Sequence, residues 1–342
     1  MMAPISSPFT HNNNSVRKVM LNVQLAALPA LFTHIYFFGF GITIQWTLAM
    51  FTLIAVETLM LKLRSRPVWP YLTDFSGLIT VTGLVFCIPP EAPWWIIVTG
   101  ITFAIIFGKH LYGGLGYNPF NPAMLGFAFL LISFPYEMTQ WTLPTQVSGH
   151  FLSFMDSFNL IFTGHIHTIP LDQITGATPL DEVKTALSTG VPVPVTLEGE
   201  SFNRFRIPYG WAAVNIAFFI GGIWMLMSRS IRWQYPAGFL ITMIILSATF
   251  NWFDPENYAP VRFHLLTGGL MLAAFFIITD PVTSSTTPLG RFIYASGIAV
   301  LVYVIRNWGG FPEGIAFAVL IMNMFVPFID QYTQPRVVGY RK

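Results

Sequence analysis

Long apolar runs separated by short polar ones dominate the chain. A bilayer core takes about 20 apolar residues per helix. Ten runs approach that length: 21–40, 42–62, 74–90, 94–109, 120–136, 210–228, 233–250, 263–280, 291–306 and 311–329. The pattern predicts an all-α polytopic membrane protein of about ten transmembrane helices, several short or interrupted by Gly and Pro. One polar stretch, 137–209, is far longer than the others. It divides the chain into a first five-helix block, 21–136, and a second, 210–329, with tails at 1–20 and 330–342.

Charge orients this pattern. With the N-terminus inside, most of the 17 Lys and Arg residues, Lys109 among them, fall on cytoplasmic loops or tails. Lys184, Arg204, Arg206, Arg262 and Arg306 fall on the other face. The positive-inside rule therefore places both termini in the cytoplasm and the 137–209 loop outside. The first twenty residues lack the apolar core of a removable signal peptide.

The two blocks resemble each other. "SGLITVTGLVFCIPPEAP" (76–93) aligns with "TGGLMLAAFFIITDPVTS" (267–284), and the segment from Lys109 to Pro135 with that from Arg306 to Phe328. Pro89 and Pro281, and Pro135 and Pro327, stand at one common interval. Repeats of five spans each are upside down relative to one another. Inverted repeats with interrupted helices carry their sites near the midplane between the halves.

Within the long loop, "DQITGATPLDEVKTAL" (172–187) reads as a capped helix of about three turns. Thr178 is the N-cap, Pro179 the first helical residue, and Asp181 and Glu182 suit the positive end of the dipole. Gly190 suits its stop. The segment just before the helix, "DQITGAT", resembles the flavin-attachment sequence of Rnf complexes and of the sodium-translocating NADH:quinone reductase. That sequence runs Asp, two variable residues, Ser or Thr, Gly, Ala, then Ser or Thr. Gln173 departs from the Gly usual at its place.

The similarity extends to "YNPFNPAMLGFAFLLISFP", "FHLLTGGLMLAAFFIITDPVTS" and "RNWGGFPEGIAFAVLIMN", and so to most of the chain. It points to the NqrB/RnfD family, and within it to the D subunits of Rnf complexes. The related B subunits of the quinone reductase have a longer N-terminal region. The resemblance implies FMN held by a phosphoester on Thr178, with Asp172, Thr175, Gly176 and Ala177 completing the motif. It also implies a second, non-covalent flavin, riboflavin, which the segment containing Gly113, Gly114, Asn118 and Asn121 would border. The implied setting is a bacterial inner membrane, multi-pass, with the loop periplasmic. There the protein would relay electrons between ferredoxin and NAD(H) and couple them to sodium or proton movement. Implied partners are iron–sulfur, NADH-binding and second FMN-bearing subunits, and a flavin transferase during maturation.

Composition supports the division of labour. The chain has 342 residues, 54% hydrophobic and only 9% charged, and one cysteine, Cys87. One thiol cannot hold an iron–sulfur cluster, so such chemistry belongs to partners. A net charge of +2 gives no reason to expect a nucleic-acid partner. Acids inside membranes are functional suspects. Glu57, within the second run, is the leading candidate for ion coupling; Asp74 and Asp280, at run ends, are candidates that also suit helix or loop stabilisation. His34, His110 and His264 lie in or beside runs without the spacing of a facing haem pair, and His165 and His167 lack neighbours for a metal site. A small-solute channel of the urea or ammonium type is the alternative function. It accounts for the inverted repeat and leaves the loop motif unexplained.

Overall fold

The computed structural model describes residues 16–114, 116–166 and 170–335. The protein is mostly helical, as the apolar runs predict. Five helices are long and apolar enough to cross a membrane: α1 (Val16–Phe38), α2 (Gly41–Leu63) and three near the C-terminus. Shorter apolar helices follow α2: α3 (Ser76–Val85), α4 (Trp94–Ile105) and α5 (Pro122–Ser133). At about 1.5 Å per residue, a helix the length of α3 is far too short to cross alone. Within the 137–209 segment lie α6 (Phe154–Thr163) and α7 (Pro179–Ser188). The second block comprises α8 (Trp211–Met227), α9 (Gln234–Phe253), α10 (Val261–Leu266), α11 (Pro288–Trp308) and α12 (Ile315–Thr333). Together these elements form a polytopic membrane protein.

The breaks are where sequence and structure differ most. The run expected at 263–280 is not one helix. It consists of α10, a turn through Gly268, a short helical piece from Leu270 and a π-helical turn, Ala273–Ile277. The run at 94–109 also ends in a π-helical turn, Ile106–His110. The run at 74–90 closes early, in the Pro-rich turn that contains Glu91.

The two blocks pack through small residues. A Cβ added to Gly221 of α8 would lie 2.0 Å from the carbonyl oxygen of Ala26 in α1. Close backbone approach of this kind is how helices associate where lipid removes the hydrophobic driving force.

Short structures inside 137–209 fasten the loop down. Trp141–Thr142 (β1) pairs antiparallel with Thr175–Gly176 (β2). A capping box between Ser153 and Asp156 starts α6. Ser157 of α6 donates to Glu91 Oε1 at 2.8 Å, and the Gly41 N–H at the start of α2 donates to the same carboxylate. Glu91 Oε2 is sealed from solvent without a partner. Burial pushes the Glu91 carboxyl up to about 7, against the pull of Ser157 and Gly41.

Two outcomes follow. Gly221→Ala must force α1 and α8 apart, because the obstacle is backbone; a thermal melt in detergent should show a clear loss of stability, and an unchanged melt would refute the close packing. Glu91 has a raised folded pKa, so its contribution is complete below its unfolded value near 4.5 and is lost as pH rises through about 7. Between pH 5 and 8 the wild-type melting temperature should fall relative to that of Glu91→Gln; parallel pH curves for the two would contradict this.

Candidate functional site

Local sequence builds the start of α7 as expected. Thr178 has extended backbone, and its hydroxyl accepts from the Asp181 N–H at 3.2 Å. The same hydroxyl donates to Asp181 Oδ2 at 2.6 Å. Pro179 opens the helix, and Gly190, at positive φ, follows its end. Burial pushes the Asp181 carboxyl up, opposed by hydrogen bonds to it from the Thr178 hydroxyl and the Thr178 backbone N–H.

The residues before the cap have separate duties. Thr175 and Gly176 form β2, and Leu143 N donates to Ile174 O at 2.8 Å. A Cβ on Gly176 would sit 2.8 Å from the Leu143 side chain, so the small residue suits the packing here. Ala177 and Asp172 are exposed, and Thr178 itself is half-buried.

The helix then docks on the second block. Lys184 Nζ donates to the carbonyls of Phe311, at 2.8 Å, and Ile305. Beneath it Arg306, which is buried, pairs with the half-buried Glu313 at 2.8 Å. Arg306 also donates to the carbonyls of His264 and Thr267, at the broken end of α10. Glu313 Oε2 accepts from Gly269 N at 3.2 Å. Gly268, with φ of +60°, has no room for a side chain, because a Cβ would lie 2.0 Å from Glu313 Oε2. From α8, Asn215 donates to the carbonyls of Leu266 and Gly268 and accepts from Met271 N at 3.1 Å. One side chain thus ties both sides of the break.

This arrangement frames a cavity of about 360 Å³ between the two blocks. Thr178 and Asp181 line it, with Trp141, Trp211, Phe38 and Phe218 among its aromatic walls. A space of that size, apolar with a few polar groups, is typical of a small-molecule site. His34 lines it too and is buried with an unpartnered Nδ1.

A second cavity, about 160 Å³, lies elsewhere between the blocks and is lined by Lys109, Ser76, Asn118, Asn121, Gln24 and Asp280, among others. Asn121 N-caps α5, accepting from Met124 N at 3.2 Å. Asn118 is buried with its Oδ1 unpartnered, and Gln24 Nε2 is unpartnered as well. Gly113 and Gly114 are not brought to this cavity. They form a turn of positive φ, which Arg66 holds by donating to Gly113 O at 2.9 Å.

The three acids singled out in the sequence divide between these surroundings. Glu57 is 1% exposed and paired with Lys109 at 2.5 Å. Lys109 also donates to Ser76 Oγ at 3.0 Å, and Ser76 Oγ donates to Asp74 Oδ1 at 2.6 Å. Asp74 and Glu57 are therefore linked through two intervening side chains. Asp280 accepts from Val282 N and Thr283 Oγ1 and shapes its own turn.

Lys109 and Arg306 correct the sequence reading. Assigned there to loops, they are 3% and 6% exposed. Each finds a carboxylate and helix-end polar groups, which is what lets a cation remain out of water. The histidines sit in separate surroundings: His34 against Phe38 and Phe86, His110 beside Glu57, His264 against Tyr303. Cys87 lines the larger cavity. His165 is exposed, His167 lies outside the described residues, and no cluster of metal-ligating side chains occurs among the described ones.

Known proteins are similar to this chain from end to end. The model of the NQR2, RnfD, RnfE family matches residues 4–339. The D component of an ion-translocating oxidoreductase complex from Escherichia fergusonii is 46% identical, with 98% of each chain covered. The component of the same description from Shigella dysenteriae is similar to the same extent.

Removing the cation beneath the loop helix should be costly. Arg306→Met leaves the half-buried Glu313 without its partner and the carbonyls of His264 and Thr267 without this donor, a change worth about 1–3 kcal/mol. A large fall in the thermal midpoint of the purified chain is expected; a midpoint within a degree of wild type would deny the pair its structural role.

Proposed function

The chain belongs to the NQR2, RnfD, RnfE family, and from that membership we propose that it is the D-type membrane component of a redox-driven ion-translocating complex, carrying FMN on Thr178. The observation that carries the assignment is the place of the Thr178 hydroxyl. It ends the attachment motif, caps a helix and lines the larger cavity. A helix N-terminus favours a phosphate through its free N–H groups and dipole. The aromatic walls suit the flavin ring. The bound flavin supplies reversible electron transfer.

The chain's own residues must adjust to such a group. An ester at Thr178 removes the proton now donated to Asp181, and a phosphate would bring negative charge beside that carboxylate. Asp181 must then turn outward or hold a proton. The raised Asp181 carboxyl supports the second course.

The smaller cavity is the place for the non-covalent flavin. Asn118 Oδ1 and Gln24 Nε2 are an unpartnered acceptor and an unpartnered donor lining the same cavity, which suits the edge of a flavin ring. Enclosing about 160 Å³, it is smaller than most complete ligand pockets, so part of the flavin would lie outside it. Glu57, Asp74 and Asp280 are the ion-coupling candidates near it.

Ten spans in two inverted repeats remain the best reading of the architecture. Lys109 and Arg306 open the matched segments of the two blocks, and each donates to the residue that opens the other matched pair, Ser76 or Thr267. Termini inside and the 137–209 loop outside, in a bacterial inner membrane, complete the proposal. Ferredoxin and NAD(H) chemistry falls to partner subunits with iron–sulfur and nucleotide sites. The family is one of redox complexes, which favours this reading over a solute channel.

Thr178→Val tests the assignment. The wild-type chain should carry flavin fluorescence after denaturing electrophoresis and an intact mass increased by one FMN. The variant should lose both, and fluorescence persisting on its band would exclude attachment at this residue.

A further inference from the structure

Lys109 stands between the smaller cavity and Glu57. Its ammonium lies between Glu57 Oε1 and Ser76 Oγ, and Lys109 and Ser76 both line the cavity. Glu57 does not line it. Among the described residues, Lys109 is the one cationic side chain lining this cavity and Asp280 the one acidic one. Glu57 is 1% exposed, and the groups around it are Lys109, His110, whose Nε2 is 3.9 Å away, and Asp74 beyond Ser76.

The backbone here is also unusual. Lys109 sits in a π-helical turn, in which Leu111 N donates to Ile106 O at 2.8 Å and Gly114 N to Lys109 O at 3.0 Å. Wide turns of this kind are rare and are frequent at functional sites. A lysine is a point charge on a flexible stem, so it can shift between two anions without backbone movement.

We propose that Lys109 is a shared counter-ion, which leans toward the cavity when negative charge arrives there and leaves Glu57 to take up a monovalent cation in its place. The inference rests on the reading of the cavity as a flavin site. The charge balance is simple. One electron enters the cavity from a one-electron donor, an iron–sulfur cluster of a partner subunit, and one cation enters at Glu57. Lys109 neither gains nor loses a proton. A buried carboxylate cannot stand unpaired, and this is what makes the uptake obligatory. Lys109 is a positioning residue in this scheme, because it acts on the ion through Glu57.

The test is a potential. The full chain is purified in detergent in a Thr178→Val background, which leaves only the dissociable flavin. Its midpoint potential is followed spectroscopically during dithionite titration, first with sodium varied against choline at fixed pH, then with pH varied at fixed sodium. One cation taken up per electron raises the potential by up to about 59 mV for each tenfold increase in that cation. A flavin ring takes up protons of its own on reduction, so in the pH arm the slope is counted above that of free riboflavin; the arm that shows it identifies sodium or the proton. Glu57→Gln should abolish the slope while keeping the flavin. Lys109→Met should abolish it as well, because Glu57 then carries its cation in both oxidation states. Should Lys109→Met fail to fold, Lys109→Met with Glu57→Gln removes both charges together, a change often tolerated, and should also be flat. A flat wild type that contains flavin, or a slope surviving in any of these variants, overturns the proposal alone. Absence of dissociable flavin from the denatured protein overturns the reading of the cavity and the proposal with it.

Discussion

A helix that breaks inside a membrane leaves backbone groups that only the protein can satisfy, and this constraint accounts for the polar side chains gathered at the breaks here. Asn215 joins the two sides of the break at Gly268. Arg306 reaches the carbonyls of His264 and Thr267 at the same break. Arg64 donates to His110 O, and Arg66 to Gly113 O, beyond the π-helical turn. Gln45 donates to Ala92 O in the Pro-rich turn. Both cavities adjoin such breaks. An unbroken helix would bury its backbone completely and offer nothing polar, so the same interruptions that demand these side chains also open the space for a ligand.

What can be read from the sequence follows the range of the forces involved. The cap at Thr178, the proline after it and the stop at Gly190 are local, and the residue pattern is sufficient for them. The apolar runs mark the five long helices closely, whereas the runs at 74–90 and 263–280 are shortened or broken by turns that the pattern does not show. Lys109 and Arg306 look like loop charges because charge rules see only the distance from an apolar run. Their burial depends on Glu57, fifty-two positions away from Lys109, and on backbone carbonyls from other helices. The cavity beside Thr178 is likewise hidden, since Phe38, Trp141 and Trp211 come from separate elements. Gly176 is legible in the sequence only as a motif residue, and its packing against Leu143 is not.

The half-buried position of Thr178 has a consequence for timing. Pro179 and Leu180 beside it are buried, and Gly176 is pressed against Leu143. Lys184 holds the far part of the helix to the turn after α11. A second enzyme has little room to reach the hydroxyl once these contacts have formed. If a cofactor is joined there, the loop must be served while it is still undocked, and docking then closes over the finished product. The contacts that hold Thr178 at the cavity would thus also record the order of assembly, with a late-folding segment kept open until its modification is complete.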